Sequence, residues 1–136
     1  MTPSVSNEMP SGVVLCIDDN QEMLECERAF LESYGYTVLT ASNGGRGLEL
    51  ACSHPVDVLI LNYFMPAMNG QEIAIAMRRL RPDASIILLT EGAGVPDRTL
   101  SLVDALIAKD RLASQLLPTI AHLQGSGWVP PPSFEA

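Results

Sequence analysis

The feature that most constrains this chain is residues 57–70, where an apolar run ends abruptly in polar and turn-forming residues. Residues 58–61 have no polar face, which predicts a strand buried on both sides within a parallel sheet. Asn62 follows directly, and Met-Pro and Asn-Gly pairs then turn the backbone. Ligands of open α/β sheets bind beyond the carboxyl ends of the strands. Asn62 therefore stands where chemistry is expected.

The rest of the chain alternates between short apolar runs and amphipathic segments. Strands are predicted near residues 13–17, 37–41, 58–61, 86–89 and 105–108, and helices near 21–34, 44–53, 71–80, 98–103 and 111–123. This alternation with short connections predicts parallel βαβ units in a three-layer, doubly wound, flavodoxin-like sheet of five strands. The 18 residues 91–108 leave room for only a short fourth helix.

Two helices carry specific expectations. In the first helix the apolar residues recur every three or four positions and predict the buried face: Met23, Cys26, Phe30 and Tyr34. Its acidic residues then form a solvated face: Glu22, Glu25, Glu27 and Glu32. In the last helix Pro118 is expected to introduce a kink or to delay the start.

Composition limits the domain organisation and the kind of partner. The 136 residues fit one domain at 12–124, a loose leader at 1–11 and a Pro-rich tail at 125–136. The net charge of −8 argues against nucleic-acid binding, and no apolar run of membrane-spanning length or signal peptide is visible. The three cysteines are expected to be free thiols, with Cys16 and Cys26 buried, which favours a cytoplasmic protein.

Polar residues follow four of the predicted strands. Asp18 and Asp19 follow the first strand, and Asn62 follows the third. Thr90 ends the fourth strand and Lys109, the only lysine of the chain, follows the fifth. Parallel strands end at one edge of the sheet, so these five side chains are expected to converge there.

With these residues in place, the chain resembles a CheY-like response-regulator receiver domain of two-component phosphorelay signalling. The resemblance covers about residues 12–123 and includes the acidic pair, Asn69-Gly70, Thr90, Lys109 and the Asn-x-x-Met-Pro motif. It implies a Mg²⁺ site at Asp18, Asp19 and Asn62, with Thr90 and Lys109 as ligands of a phosphoryl group. The loop residues that the resemblance assigns to the site are Phe64, Met65, Pro66 and Gly70.

The chain departs from that family where the chemistry takes place. The family accepts a phosphoryl group from a histidine kinase on an aspartate, and Asn62 occupies that position. A neutral amide is a poor nucleophile, and the lost charge should weaken Mg²⁺ binding, by roughly 4 kcal/mol for a charge at about 4 Å. Glu91 replaces a small residue beside the phosphate seat, and Leu106 replaces the aromatic switch residue.

Three interpretations remain open. The first is an atypical receiver, or pseudo-receiver, that is not an enzyme and acts through contacts with a sensor kinase or other signalling protein, with a homodimer as a further arrangement. The second is an Asp-to-Asn variant of a working Mg²⁺-dependent receiver, favoured by the retained Asp18, Asp19, Thr90 and Lys109. The third is a small flavodoxin-like enzyme or ligand-binding domain, against which stands the lack of a glycine-rich phosphate loop after the first strand.

Overall fold

Five strands and five helices alternate along the part of the chain that the structure describes, as expected. The computed structural model describes residues 12–92 and 94–125; the predicted leader, and the predicted tail beyond Gly125, lie outside this part. The strands are β1 (Val13–Ile17), β2 (Thr37–Ala41), β3 (Val58–Asn62), β4 (Ser85–Thr90) and β5 (Ala105–Ala108). The helices are α1 (Gln21–Glu32), α2 (Gly44–Ser53), α3 (Gly70–Leu80), α4 (Asp97–Leu100) and α5 (Leu112–Leu123), and a 3₁₀ turn spans Lys109–Arg111.

All strand pairs are parallel and form one sheet in the order β2-β1-β3-β4-β5. The order reverses direction at β1 and β3, which places a topological switch point between them. Asp18 follows β1 and Asn62 ends β3, so both residues lie at the carboxyl edge beside that point. The flavodoxin-like doubly wound fold is confirmed.

The core consists of two apolar layers, one on each face of the sheet. Alternate strand residues such as Val14 and Ile60 pack with α1 and α5, and their neighbours Leu15 and Leu59 pack with α2 and α3. Because β3 is buried along its whole length, it lacks the polar and apolar alternation of a half-exposed strand. The continuous apolar run therefore marked the centre of the sheet.

The buried face of α1 differs from the prediction. Leu24, Glu27 and Leu31 point inward, whereas Cys26 is exposed. The remaining predicted positions, Met23, Phe30 and Tyr34, are half-buried. The prediction failed because it assigned every acidic residue to solvent, and Glu27 is only 2% exposed.

The fourth helix is even shorter than the six residues predicted. Four residues, Asp97–Leu100, are helical, and the Thr99 hydroxyl donates a 2.6 Å hydrogen bond to Gln71 on α3. Arg78 of α3 holds the following segment, since its guanidinium donates to the carbonyls of Leu102 and Ala84 and to Asp104. Side-chain anchors on α3 thus hold a segment that has little helix of its own.

The last helix begins at Leu112 and continues through Pro118 to Leu123. Pro118 therefore neither delays its start nor ends it. Leu116 and Ile120 are fully buried on its inner face. No helix within residues 12–92 and 94–125 is both long and apolar enough to span a membrane.

Burial of Glu27 predicts an unusual dependence of stability on pH. Desolvation raises the pKa of its carboxyl from 4.5 to about 7, so the folded protein keeps a proton that the unfolded chain has lost between these values. The free energy of unfolding should therefore fall as pH rises from about 4.5 to 7, by up to about 3 kcal/mol. Glu27→Gln should remove this decline, measured by urea denaturation across the range.

Glu25→Gln is the matched control, because Glu25 lies on the same helix and is exposed. It should leave the decline in place. An equal pH profile for the parent protein and Glu27→Gln would contradict the assignment.

Candidate functional site

The acidic pair after β1 divides into a buried and an exposed carboxylate. Asp18 is 1% exposed, its Oδ1 accepts from the Asn20 backbone N–H at 2.9 Å, and its Oδ2 lies 3.5 Å from the Nζ of Lys109. Burial raises the pKa of Asp18, and the Asn20 N–H and the Lys109 ammonium partly offset that rise. Asp19 is exposed beside it. The lysine thus neutralises the carboxylate that lies deeper in the protein.

Asn62 is buried at the end of β3 and holds a defined orientation. Its Nδ2 donates to Asp19 Oδ1 at 3.2 Å and to the Phe64 carbonyl at 2.9 Å. Both partners are acceptors, so the nitrogen, not the oxygen, of the amide faces Asp19. The side chain at the centre of the site therefore presents N–H donors to the acidic pair. The Mg²⁺ site that the resemblance implies would need the carbonyl oxygen of Asn62 there instead.

Thr90 lies at the same edge, but its hydroxyl is occupied by the following loop. The Oγ1 donates to the Gly92 carbonyl at 2.8 Å and accepts from the Gly92 N–H at 3.2 Å. Glu91 extends over the site, with Oε2 3.7 Å from the Lys109 Nζ and a side chain 76% exposed. The ammonium of Lys109 is therefore shared between a buried and a solvated carboxylate.

The loop after Asn62 is set by a close backbone approach. Gly70 donates its N–H to the Tyr63 carbonyl, and a Cβ there would lie 2.9 Å from the Tyr63 ring and 3.1 Å from its Cα. Only glycine fits without a shift of Tyr63. Asn69 caps α3 through a reciprocal bond pair with Glu72. The Asn-Gly pair thus starts α3 and closes the loop.

The other predicted loop and switch residues are not drawn into the acidic site. Phe64 is 58% exposed and makes an edge contact with Tyr63. Met65 packs on the α2–α3 side of the core, and Pro66 is exposed. Leu106 on β5 is 45% exposed. The structure therefore brings together Asp18, Asp19, Asn62 and Lys109, with Thr90 and Glu91 at the rim.

The arrangement fits a magnesium ion only in part. Asp18 and Asp19 offer carboxylate oxygens, the ligands that Mg²⁺ prefers. Asn62 presents N–H toward Asp19 and repels a cation there. Within residues 12–92 and 94–125 no group of three or more His, Cys, Asp or Glu side chains is placed to hold a metal. A third oxygen ligand from β3 requires the Asn62 amide to rotate.

The fold and the site together define an α/β module with an acidic pair, a buried amide, a hydroxyl and a lysine at one edge of a parallel sheet. A family model described as the response regulator receiver domain matches residues 14–111. The chain belongs to the response regulator receiver domain family of two-component signalling. The resemblance inferred from the motifs is confirmed.

Known relatives agree with this assignment. The response regulator TrrA of Thermotoga maritima, solved in complex with Mg²⁺–BeF, is similar with a TM-score of 0.77 and 30% identity over 82% of this chain and 98% of that one. Response regulator MprA of Mycobacterium ulcerans is 34% identical over 89 residues, 65% of this chain and 38% of MprA. The Vibrio harveyi autoinducer 1 sensor kinase/phosphatase LuxN is 25% identical over 93% of this chain but only 15% of LuxN. The chain thus spans less than half the length of these two curated relatives.

Sequence reasoning missed the polar groups whose roles depend on neighbours distant in the chain. The donor orientation of Asn62 is set by Asp19, 43 residues away, and by the loop carbonyl of Phe64. Glu27 is buried because it lies on the same face of α1 as Leu24 and Leu31. Spacing alone did not identify this face, since Leu24, Glu27 and Leu31 follow the same i, i+3, i+7 pattern as the predicted Met23, Cys26 and Phe30.

The pairing of Lys109 with Asp18 makes a prediction for stability. Lys109→Met leaves the buried Asp18 carboxylate without its cation and should cost about 2–4 kcal/mol of unfolding free energy at neutral pH. The pKa of Asp18, already raised by burial, should rise further in the variant. The loss should therefore shrink as pH falls and Asp18 takes up a proton.

Chemical denaturation of parent and variant at neutral and acidic pH measures this loss. Arg111→Met removes an exposed cation from the same turn and should change stability little. A comparable loss in both variants, or a loss independent of pH, would count against the pairing.

Proposed function

We propose that this receiver module does not accept a phosphoryl group and signals through protein–protein contacts. The observation that carries the proposal is the Asn62 amide at the acceptor position, with its nitrogen donating to Asp19 and Phe64. Acyl phosphate formation needs a carboxylate oxygen as nucleophile. The lone pair of the amide nitrogen is delocalised into the carbonyl group. Both of its N–H groups donate hydrogen bonds, one to Asp19 and one to the Phe64 carbonyl. In this proposal the chain performs no enzymatic turnover of its own.

The surroundings of Lys109 support the same proposal. In a phosphorylated receiver the lysine would neutralise phosphoryl oxygens, but here Glu91 already places a carboxylate 3.7 Å from its Nζ. An incoming phosphoryl group must displace that carboxylate or accept its repulsion. The Thr90 hydroxyl must also give up its bonds to Gly92. The Thr90 hydroxyl and the Lys109 ammonium are thus already engaged by groups of the site, although the buried Asp18 Oδ2 has no hydrogen-bond partner among the described residues.

The proposed partners are sensor kinases or other signalling proteins, and a second copy of the chain is a further candidate. Phe64 and Leu106 are large apolar residues left exposed at 58% and 45%. Exposed apolar residues next to a signalling site are suited to recognition by a protein surface. The relatives support this class of partner, since one is named a sensor kinase/phosphatase and another a response regulator.

One observation favours the alternative of a silenced working receiver. The Asp18–Lys109 pair is intact at 3.5 Å, and Thr90 is buried at the strand end. If these residues still support phosphoryl transfer, Asn62 alone blocks it. The two interpretations differ in what a restored aspartate would do.

We therefore expect Asn62→Asp, and not the parent protein, to gain the mass of one phosphoryl group from acetyl phosphate and Mg²⁺ if the machinery is intact. Intact-mass spectrometry under denaturing conditions measures this directly. If neither protein gains mass, the pseudo-receiver interpretation gains support. Phosphoryl gain by the parent protein would overturn the proposal.

Glu91→Ala in the Asn62→Asp background tests whether Glu91 opposes phosphorylation independently of Asn62. If Glu91 competes for Lys109, the double variant should be phosphorylated faster than the single variant. Glu25→Ala in the same background serves as a control, because Glu25 is an exposed acid within α1. Equal phosphorylation rates with and without Glu91 would show that this carboxylate does not oppose the reaction.

Magnesium binding makes a separate prediction. We propose that the parent protein binds Mg²⁺ weakly, because Asn62 supplies no charge and turns its N–H toward Asp19. Asn62→Asp should tighten binding at least tenfold, since a charge near the ion is worth about 4 kcal/mol at an effective dielectric of about 20. Isothermal titration with MgCl₂ compares the two proteins, and Asp19→Asn should abolish the gain. Equal affinities of parent and Asn62→Asp would refute a weakened site.

A further inference from the structure

Glu27 is a buried acid that the receiver chemistry does not use. It lies on the inner face of α1 and is 2% exposed. Within the described residues its Oε2 has no hydrogen-bond partner, and the thiol of Cys16 on β1 is its hydrogen-bonding neighbour. An unsatisfied carboxylate oxygen costs free energy and is retained where something compensates for it.

A groove of about 380 Å³ opens beside this carboxylate, between α1 and the segment that follows β5. Its walls are apolar, and Glu27, Lys109 and Asp110 provide its charged groups. The apolar lining residues are Met23, Cys26, Phe30, Leu112 and Ala113. Its volume lies within the range of small-molecule sites, which combine apolar walls with a few polar groups.

We propose that this groove binds a small organic cation with an apolar body, such as an arylalkylamine, whose ammonium pairs with the Glu27 carboxylate. The apolar body would pack on Phe30 and Leu112. The ammonium would reach the Glu27 carboxylate from the groove only after a side chain of the wall moves, because Oε2 has almost no accessible surface in this conformation. Met23 is flexible and half-buried, and can move to admit the ligand. This site is separate from Asn62 and does not rest on the proposed silence of the acceptor.

Charge decides between a cationic and an anionic ligand. Three ionisable groups affect the pKa of Glu27: Cys16 on β1, Asp18 just after β1, and Lys109. The ammonium of Lys109 is already shared by Asp18 and Glu91. Asp110 adds a further negative charge at the groove. The groove therefore has an excess of acid, which complements a cation.

The charge state of Glu27 predicts how binding depends on pH. Burial raises its pKa to about 7, and the nearby Asp18 charge raises it while Lys109 lowers it. An ammonium ligand binds the ionised carboxylate, so affinity should increase about tenfold between about pH 6 and pH 8. The ammonium group of the ligand stays protonated over this pH range.

The test is a titration of the full chain with tryptamine, followed by ¹⁵N–¹H correlation spectra at both pH values. We expect amide shifts confined to α1 and the start of α5, with affinity weakened at least tenfold by Glu27→Gln and unchanged by Glu25→Gln. Indole-3-propionate has the same aromatic body and the opposite charge and should not bind. The dispersed spectrum of each variant verifies that it is folded.

Several results would overturn the proposal. No shifts at millimolar tryptamine, equal binding by Glu27→Gln, or equal binding of indole-3-propionate would each exclude a cation site at Glu27. Shifts of the same amides with protein concentration, together with a dimer in sedimentation, would assign the groove to a second copy. Alkylation of the exposed Cys26 by iodoacetamide gives a second readout, because a bound ligand should slow it.

Discussion

Burial of a carboxylate at the edge of the sheet is the constraint on which the site depends. Asp18 is almost completely enclosed, so its charge requires a cation nearby, and the only lysine of the chain supplies it at 3.5 Å. This pairing ties the end of β1 to the turn after β5 across the sheet. A compact ammonium on a flexible stem can reach Asp18 and Glu91 from one position, which the planar fork of arginine would do less readily.

Because Asn62 is neutral, the charge balance of this edge depends on one lysine. With Asn62 neutral, Asp18, Asp19 and Glu91 face a single ammonium, and the amide lends its two N–H groups to Asp19 and a loop carbonyl. Thr90 finds its partners in Gly92. These hydrogen bonds are individually weak, but together they occupy the Asn62 amide and the Thr90 hydroxyl. Activation by phosphate would have to break several of them at once.

Periodicity and turn chemistry were enough to predict the sheet, the element order, the short fourth helix and the convergence of Asp18, Asn62 and Lys109. These features follow from local sequence and from the rule that parallel strands end together. The prediction of the buried face of α1 was wrong, because two adjacent faces share the same helical spacing and the one that carries Glu27 was assigned to solvent. The Asn62 amide orientation was also missed, since it depends on acceptors that only the folded chain brings near. Energies of buried polar groups depend on such neighbours, and single-sequence patterns do not contain them.

The two buried acids, Asp18 and Glu27, are linked through Lys109. This lysine pairs with Asp18, and its charge also stabilises the ionised form of Glu27 from the wall of the groove. If a cation enters the groove, Glu27 gains a closer partner and depends less on Lys109. The ammonium is then freer to pair with Asp18 and Glu91, whose geometry sets the surface at the end of the sheet. A ligand in the groove would thus change the charge balance around Asp18 and Glu91, because one lysine belongs to both sites.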